Sequence, residues 1–197
     1  QAACDMALWV ADYFHEFYDL CEVLQQVERR AYAAIDTEYE AARTFANAKS
    51  EANLHKRLAH YDTAHRTCEQ AIALYDHLAL LLHLLRDALH VCSPHGRLRT
   101  QAQVRSELLL LFDMIEALDC AAVRSALQPI RTHLDDIFVP FKHAEAIEAE
   151  LRTMVPPHAL DFLVLAWHHD HFVHQSRAKQ KRYHQRERDF WLACAEG

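Results

Sequence analysis

Glycine is almost missing from this chain: of 197 residues only Gly96 and Gly197 are glycines, and prolines number five. Sheets joined by tight hairpins need many more turn residues, so an all-β or doubly wound protein is excluded. The same scarcity removes the G-x-S-x-G elbow, the phosphate-binding P-loop and the Rossmann fingerprint, each of which needs closely spaced glycines. A basic-then-apolar leader does not open the sequence. Apolar runs such as Leu78–Leu82 fall far short of the ~20 residues of a membrane-crossing helix, so no membrane role is expected. Net positive charge is lacking too. The formal charge is −7, so any contact with nucleic acid must come from a local patch, although sixteen histidines can add positive charge below about pH 6.5.

The six cysteines (4, 21, 68, 92, 120 and 194) stand singly, with no C-x-x-C pair. That spacing suits reduced, buried thiols of a cytoplasmic protein better than a disulfide framework. The first residue is Gln rather than Met, as expected of a piece cut from something longer.

What is abundant is helix-forming: Ala, Leu, Glu, Arg and Gln dominate. Residues 7–11 are continuously apolar and suit one short buried strand. From Phe14 to about Asn47, Phe17, Leu20, Leu24, Val27, Ala31, Ala34 and Ile35 follow helical spacing. Ser50 can cap a second helix to about Val91, with a near-heptad seam of Leu54, Leu58, Tyr61, His65, Cys68, Ile72, Tyr75, Ala79, Leu82 and Leu89. The two helices predict an antiparallel, coiled-coil-like hairpin over 14–91, about 50–60 Å long at 1.5 Å per residue. Ser93-Pro94-His95-Gly96 closes it. Thr100 caps a helix to Leu118, and another spans about 121–138 with Pro129 forcing a kink or restart. Pro140 opens a helix to about Met154, and Pro156-Pro157 precedes a final long helix over 158–194. The expected class is all-α, a helical bundle with that long hairpin and the one short strand before it. Its divisions are 1–13, a strand-like start, and 14–197, a helical domain with smaller helices over 100–154.

Three D-x-x-H pairs occur: Asp12/His15, Asp62/His65 and Asp87/His90. Fourteen Asp and sixteen His yield about one by chance, so the bare motif says little. Only Asp12 follows a strand-like run and precedes a long helical stretch. The later two pairs read as surface or seam residues of a helix. A carboxylate at a strand end can hold Mg²⁺ or Mn²⁺ through hard oxygen contacts, and a metal pair can drive phosphodiester transfer. A helix N-cap is the plain alternative for Asp12.

His168, His169, His171 and His174 gather near the end. The chain contains neither H-x-x-x-H nor E-x-x-H, so zincin and di-iron patterns are missing and a mixed surface and seam of imidazoles is expected. Arg177, Lys179, Lys181, Arg182, Arg186 and Arg188 form the one basic run, interleaved with Tyr183 and His184. Clustered cations of this kind suit phosphate contact with DNA, and equally a solvated helix face.

The string Val10-Ala11-Asp12-Tyr13-Phe14-His15 is followed by Leu24-x-x-Val27-Glu28-Arg29-Arg30-Ala31-Tyr32-Ala33-Ala34 and Glu38-Tyr39-Glu40-Ala41. Together they resemble bacterial insertion-sequence transposases of the DDE type. In those enzymes an all-helical insertion interrupts a ribonuclease-H-like core after the second catalytic Asp. Ala166-Trp167-His168-His169-Asp170-His171, with Phe190-Trp191-Leu192 and Ala195-Glu196-Gly197, is similar to the helix leading back to that core. The resemblance implies that Asp12 is the second metal-binding carboxylate and His15 its supporting neighbour. Residues 1–13 would then be a remnant of the core, with Mg²⁺ or Mn²⁺ bound only in the complete enzyme. It further implies transposon-end DNA as partner, with self-association through the hairpin, and a chain inactive alone. Neither Glu187 nor Glu196 stands in the surroundings the family expects of its third carboxylate. Two other readings remain open: a helical scaffold that binds protein partners, and a polyanion-binding domain whose affinity rises below about pH 6.5.

Overall fold

The computed structural model describes the backbone of residues 2–93 and 95–196, and the side chains of residues 17–93 and 95–196. The elements are α1 (Ala2–Ala46), α2 (Glu51–Ala88), α3 (Gln101–Glu116), α4 (Ala121–Thr132), α5 (Leu134–Ile137), α6 (Val139–Met154), α7 (Pro157–Gln175) and α8 (Ala178–Glu196). The fold is an all-α helical bundle. No strand occurs among the described residues, which hold one isolated antiparallel bridge, Cys92 to Leu98. The apolar run 7–11, expected as a strand, falls inside the bounds of α1. A lone strand would leave its backbone N–H and C=O groups without ladder partners, whereas a helix satisfies its own.

Two compact units divide the chain: Gln1–Arg86 with Leu109–Leu134, and Asp87–Leu108 with Asp135–Gly197. In the first, α1 and α2 form the expected antiparallel hairpin. The Arg57 guanidinium donates to the Thr44 carbonyl, Phe45 stacks on Tyr61 at 6.1 Å between centroids, and Glu38 meets His65, so the two helices run in opposite directions. Ala48 N–H bonds to Phe45 C=O, and Leu54 N–H to Ser50 C=O, so a short link turns the chain.

The seam matches expectation only in part. Tyr61, Cys68 and Tyr75 are buried or half-buried and His65 meets Glu38 across the hairpin as expected, but Ala64, Leu78 and Leu85 are buried as well. Leu54, Leu58 and Ile72 are exposed. How α2 is turned toward α1 sets the difference, with small Ala64 inside and these bulkier Leu and Ile residues outside. Helix α4 packs on α1, and Phe112, Ile115, Val123, Leu127 and Ile130 are buried in the same unit. The Arg131 guanidinium lies over the Phe112 ring and pairs with Asp113 and Glu116.

In the second unit, Gly96 turns the chain at φ +68°, with bonds from Ser93 N–H to Arg97 C=O and from Arg99 N–H to Val91 C=O. The backbone angle strains any residue but glycine there, and a Cβ at Gly96 would also run into the tip of the Leu165 side chain, which would have to shift. Arg99 is buried, pairs with Glu107 and donates to the Asp87 carbonyl. Thr100 and Gln103 make the reciprocal bonds of a capping box, Gln103 N–H to Thr100 Oγ1 and Thr100 N–H to Gln103 Oε1, which starts α3 as expected. The 121–138 segment is broken, though not at Pro129, which lies inside α4. Helix α4 ends at Thr132, His133 N–H bonds to Pro129 C=O, and α5 and α6 follow.

The single final helix expected over 158–194 is interrupted. Ser176 takes an extended backbone (φ −92°, ψ 149°) and closes α7 by donating its N–H to Phe172 C=O. Helix α8 then packs against α7. Phe162 stacks on Trp191 and Phe172 on His184, so α8 runs antiparallel to α7. Burial of these aromatic faces against each other outweighs continued helix at Ser176, a residue of only middling helix propensity. Among the described residues no helix is long and apolar enough to cross a membrane.

Candidate nucleic-acid interface

Helix α8 has no fully buried residue; it lies on α7 by one side and leaves the other to solvent. The 3.6-residue period places Lys179, Arg182, Tyr183, Arg186 and Phe190 along one stripe, at i, i+3, i+4, i+7 and i+11. All five are exposed, the Tyr183 and Phe190 side chains by 55% and 56%. Arg177, in the turn before α8, and Lys181, two turns before Arg188 on the side of the helix away from the stripe, are exposed as well. None of these five cations forms an ion pair among the described residues; the carboxylate at the edge of the stripe, exposed Asp189 one turn from Arg186, is taken by Arg188. Arg188, the sixth expected phosphate-binding residue, points the other way. It is half-buried and binds Asp170 on α7 at 2.9 Å and Asp189 at 2.8 Å.

Beneath the stripe lies an imidazole cluster. His169 and His184 meet Nδ1 to Nδ1 at 3.0 Å, one donating to the other. That bond requires one of the two Nδ1 atoms to be bare, so the pair holds one proton between those atoms. Phe172 stacks on His184 and receives His168 and His171 edge-on, and His90 approaches His171. Burial, then the neighbouring His169, His171, His184 and His90, lower the His168 pKa. His169 is lowered by burial and by His184, with Glu187 opposing. His168 and His169 therefore favour the neutral ring at pH 7. His174 is exposed and outside this set.

Asp12 and His15 lie outside the described side chains. Among the described residues no group of three or more His, Cys, Asp or Glu is placed to hold a metal ion. A shallow groove of about 300 Å³ beside α1 and α4 is lined by Asp19, Glu22, Val23, Gln26, Ala122, Ser125 and Ala126. It offers carboxylates and no cation, so it suits neither phosphate nor DNA.

One polar layer escaped the sequence reading. Glu38 sits on the inner face of α1, accepts hydrogen bonds from the Cys68 thiol and His65, and is held below the usual carboxylate range by both. The Cys68 thiol is pushed up to about 11, first by that bond and then by burial. His65 is raised, chiefly by Glu38. Its Nε2 also faces Glu69 at 3.5 Å. His65 thus finds its main partner on the opposite helix rather than in its own Asp62. A carboxylate at the seam spacing continued from Ala31 and Ala34 was the available signal. No protein-family model matches this chain, and no curated protein or solved structure is similar to it.

Proposed function

We propose that this chain is the helical insertion domain of a DDE-type transposase, serving DNA binding and metal-dependent strand transfer in the complete enzyme. The observation that carries the reading is α8 with the turn before it, where Lys179, Arg182 and Arg186 share the outer stripe and Arg177 and Lys181 stand exposed off it, none with an ion-pair partner among the described residues. Cations left free in this way neutralise phosphates and release counterions, the sequence-independent part of DNA affinity. The hairpin of α1 and α2 supports the role of a stiff arm. Exposed Tyr32, Ile35 and Tyr39 on α1, with Leu54, Leu58 and Ile72 on α2, give it apolar surface for self-association. Cys21, Cys68, Cys92, Cys120 and Cys194 are free thiols, in keeping with a cytoplasmic location.

In this reading Asp12 contributes an oxygen ligand for Mg²⁺ or Mn²⁺ and His15 supports it, with the other carboxylates supplied from outside the chain. The metal would activate the attacking oxygen and stabilise the leaving one.

Binding of the 197-residue chain to a 30-base-pair duplex, followed by fluorescence anisotropy from 50 to 300 mM salt, tests the DNA half. Affinity is expected to fall steeply with salt. The triple variant Lys179→Ala/Arg182→Ala/Arg186→Ala is expected to shrink the log–log slope by roughly 2.7, about 0.9 for each phosphate contact. No binding at 50 mM, or an unchanged slope, overturns it. Equal affinity for inorganic polyphosphate points instead to a general polyanion scaffold. The enzyme half is decided by the native reading frame on both sides. It should encode an Asp-bearing strand upstream and a Glu-bearing helix downstream, and a start codon at residue 1 with a stop after Gly197 removes it.

A further inference from the structure

We infer that the outer stripe of α8 binds an unpaired polynucleotide strand, Tyr183 and Phe190 stacking on its bases while Lys179, Arg182 and Arg186 hold its phosphates. This rests on α8 being the DNA-facing surface and adds the state of the DNA it takes.

Phosphate binding alone would need only the cations. The stripe instead sets two aromatic rings among them, each more than half exposed. They stand seven residues apart, two helical turns, or about 10 Å of rise. Arg186 lies midway between them, and Lys179 and Arg182 precede Tyr183 by one turn and by one residue. A duplex hides the faces of its bases in the stack and offers only their edges to a helix in a groove, where hydrogen-bonding side chains do the reading. Neither a phenyl ring nor a phenol face finds a stacking partner there. An unpaired strand exposes base faces next to its phosphates, and alternating cations and aromatic rings are the surface that takes such a strand without sequence preference.

The rings are also held in place. Tyr183 meets His169 and His184 edge-on, at 6.1 and 5.1 Å between centroids, and Phe190 meets Trp191 edge-on at 4.9 Å. Their orientation is thus set by packing on the inner side of α8, so a base that stacks on the outer face has less side-chain motion to freeze.

The decisive comparison uses the whole 197-residue chain at 100 mM salt with four fluorescent or competing probes. These are a 20-mer of deoxythymidine, an abasic 20-mer with the same phosphates, a 20-base-pair duplex, and poly-glutamate. The thymidine strand is expected to bind about tenfold or more tighter than the abasic strand, since stacking is worth roughly that factor per base. Tyr183→Ala/Phe190→Ala should abolish that difference and leave duplex affinity within twofold, with unchanged far-UV circular dichroism. Tyr183→Trp/Phe190→Trp should preserve it, which a merely folding-related loss would not. Equal binding of the thymidine and abasic strands by the unaltered chain overturns the inference while salt-dependent duplex binding keeps the DNA reading intact. Binding of no nucleic acid at all, or displacement by poly-glutamate as strong as by the thymidine strand, overturns both.

Discussion

Glu38 on α1 and His65 on α2 meet at 2.6 Å across the hairpin, and each moves the other's titration in the direction that keeps both charged. Two histidines of α7 behave oppositely, because burial and neighbouring imidazoles lower His168 and His169.

These opposite shifts predict opposite responses to acid in the two units. A raised histidine contributes stability that is fully present below its ordinary pKa of about 6.5 and lost as the pH climbs through the raised value. Glu38, lowered, keeps its contribution until the pH falls into the carboxylate range. The Glu38–His65 layer is therefore strongest between those limits. His168 and His169 contribute above about 6.5 and lose that contribution as the pH falls through 6.5 toward their lowered values. Asp170 stays tied to Arg188 nearby, and Glu187 softens the effect at His169. Going from pH 7.5 to 5.5, hydrogen exchange corrected for intrinsic rate should slow around residues 38 and 65 and quicken over 165–188. Changes of the same sign in both segments would refute the assignment.

The same layer makes a chemical prediction for Cys68. Its thiol stands at about 11 because it donates to the Glu38 carboxylate, with burial second. Glu38→Gln removes the charge it faces. In a background where the other five cysteines are Ala, the midpoint of the alkylation rate against pH should drop by a unit or more, yet stay above about 8.5 because burial persists. A midpoint unmoved from about 11 would assign the shift to burial alone.

What the sequence made legible followed from local chemistry. The all-α class came from scarce glycine, the hairpin from a 3.5-residue apolar period, and the start of α3 from Thr100 followed three residues on by Gln103. What it hid depended on partners distant along the chain. Ala64 is buried in the seam while Ile72 is exposed, set by how α2 is turned toward α1, and no local scale ranks alanine above isoleucine for burial. Helix ends at Ser176 because Phe162 and Phe172 have Trp191 and His184 to meet, a contact spanning 12 to 29 residues. The basic run was readable as six cations. That five are free and Arg188 is engaged with Asp170 follows from the position of α7, not from the run itself.

Gly96 supplies a prediction of stability. Its φ of +68° strains any side chain, and an added methyl would run into Leu165. Gly96→Ala should cost about 1–2 kcal/mol for the left-handed backbone with the contact on top. Because Leu165 meets the methyl with the far end of its side chain, Gly96→Ala/Leu165→Ala should recover the steric part and leave the backbone part, beyond the separate cost of Leu165→Ala. A double-mutant cycle on urea midpoints reads the coupling. Strict additivity of the two substitutions would mean that the Leu165 side chain yields without cost.

Arg186 and Arg188 stand two residues apart on α8 and should part company in function. Two residues on a helix point about 200° apart, so one faces solvent and the other α7. Arg186→Ala is expected to lower the salt slope of duplex binding by about 0.9 while shifting stability by less than about 0.5 kcal/mol, as for an exposed side chain with no partner. Arg188→Ala should do the reverse. It leaves the Asp170 carboxylate without its partner across the α7–α8 contact, at a cost of about 1 kcal/mol discounted for partial exposure, and leaves the salt slope unchanged. Anisotropy titrations at several salt concentrations, beside urea unfolding of the same two variants, separate the roles. If Arg188→Ala lowered the slope as much as Arg186→Ala, its bond to Asp170 would have to open when DNA binds, and the inner side of α8 would belong to the interface as well.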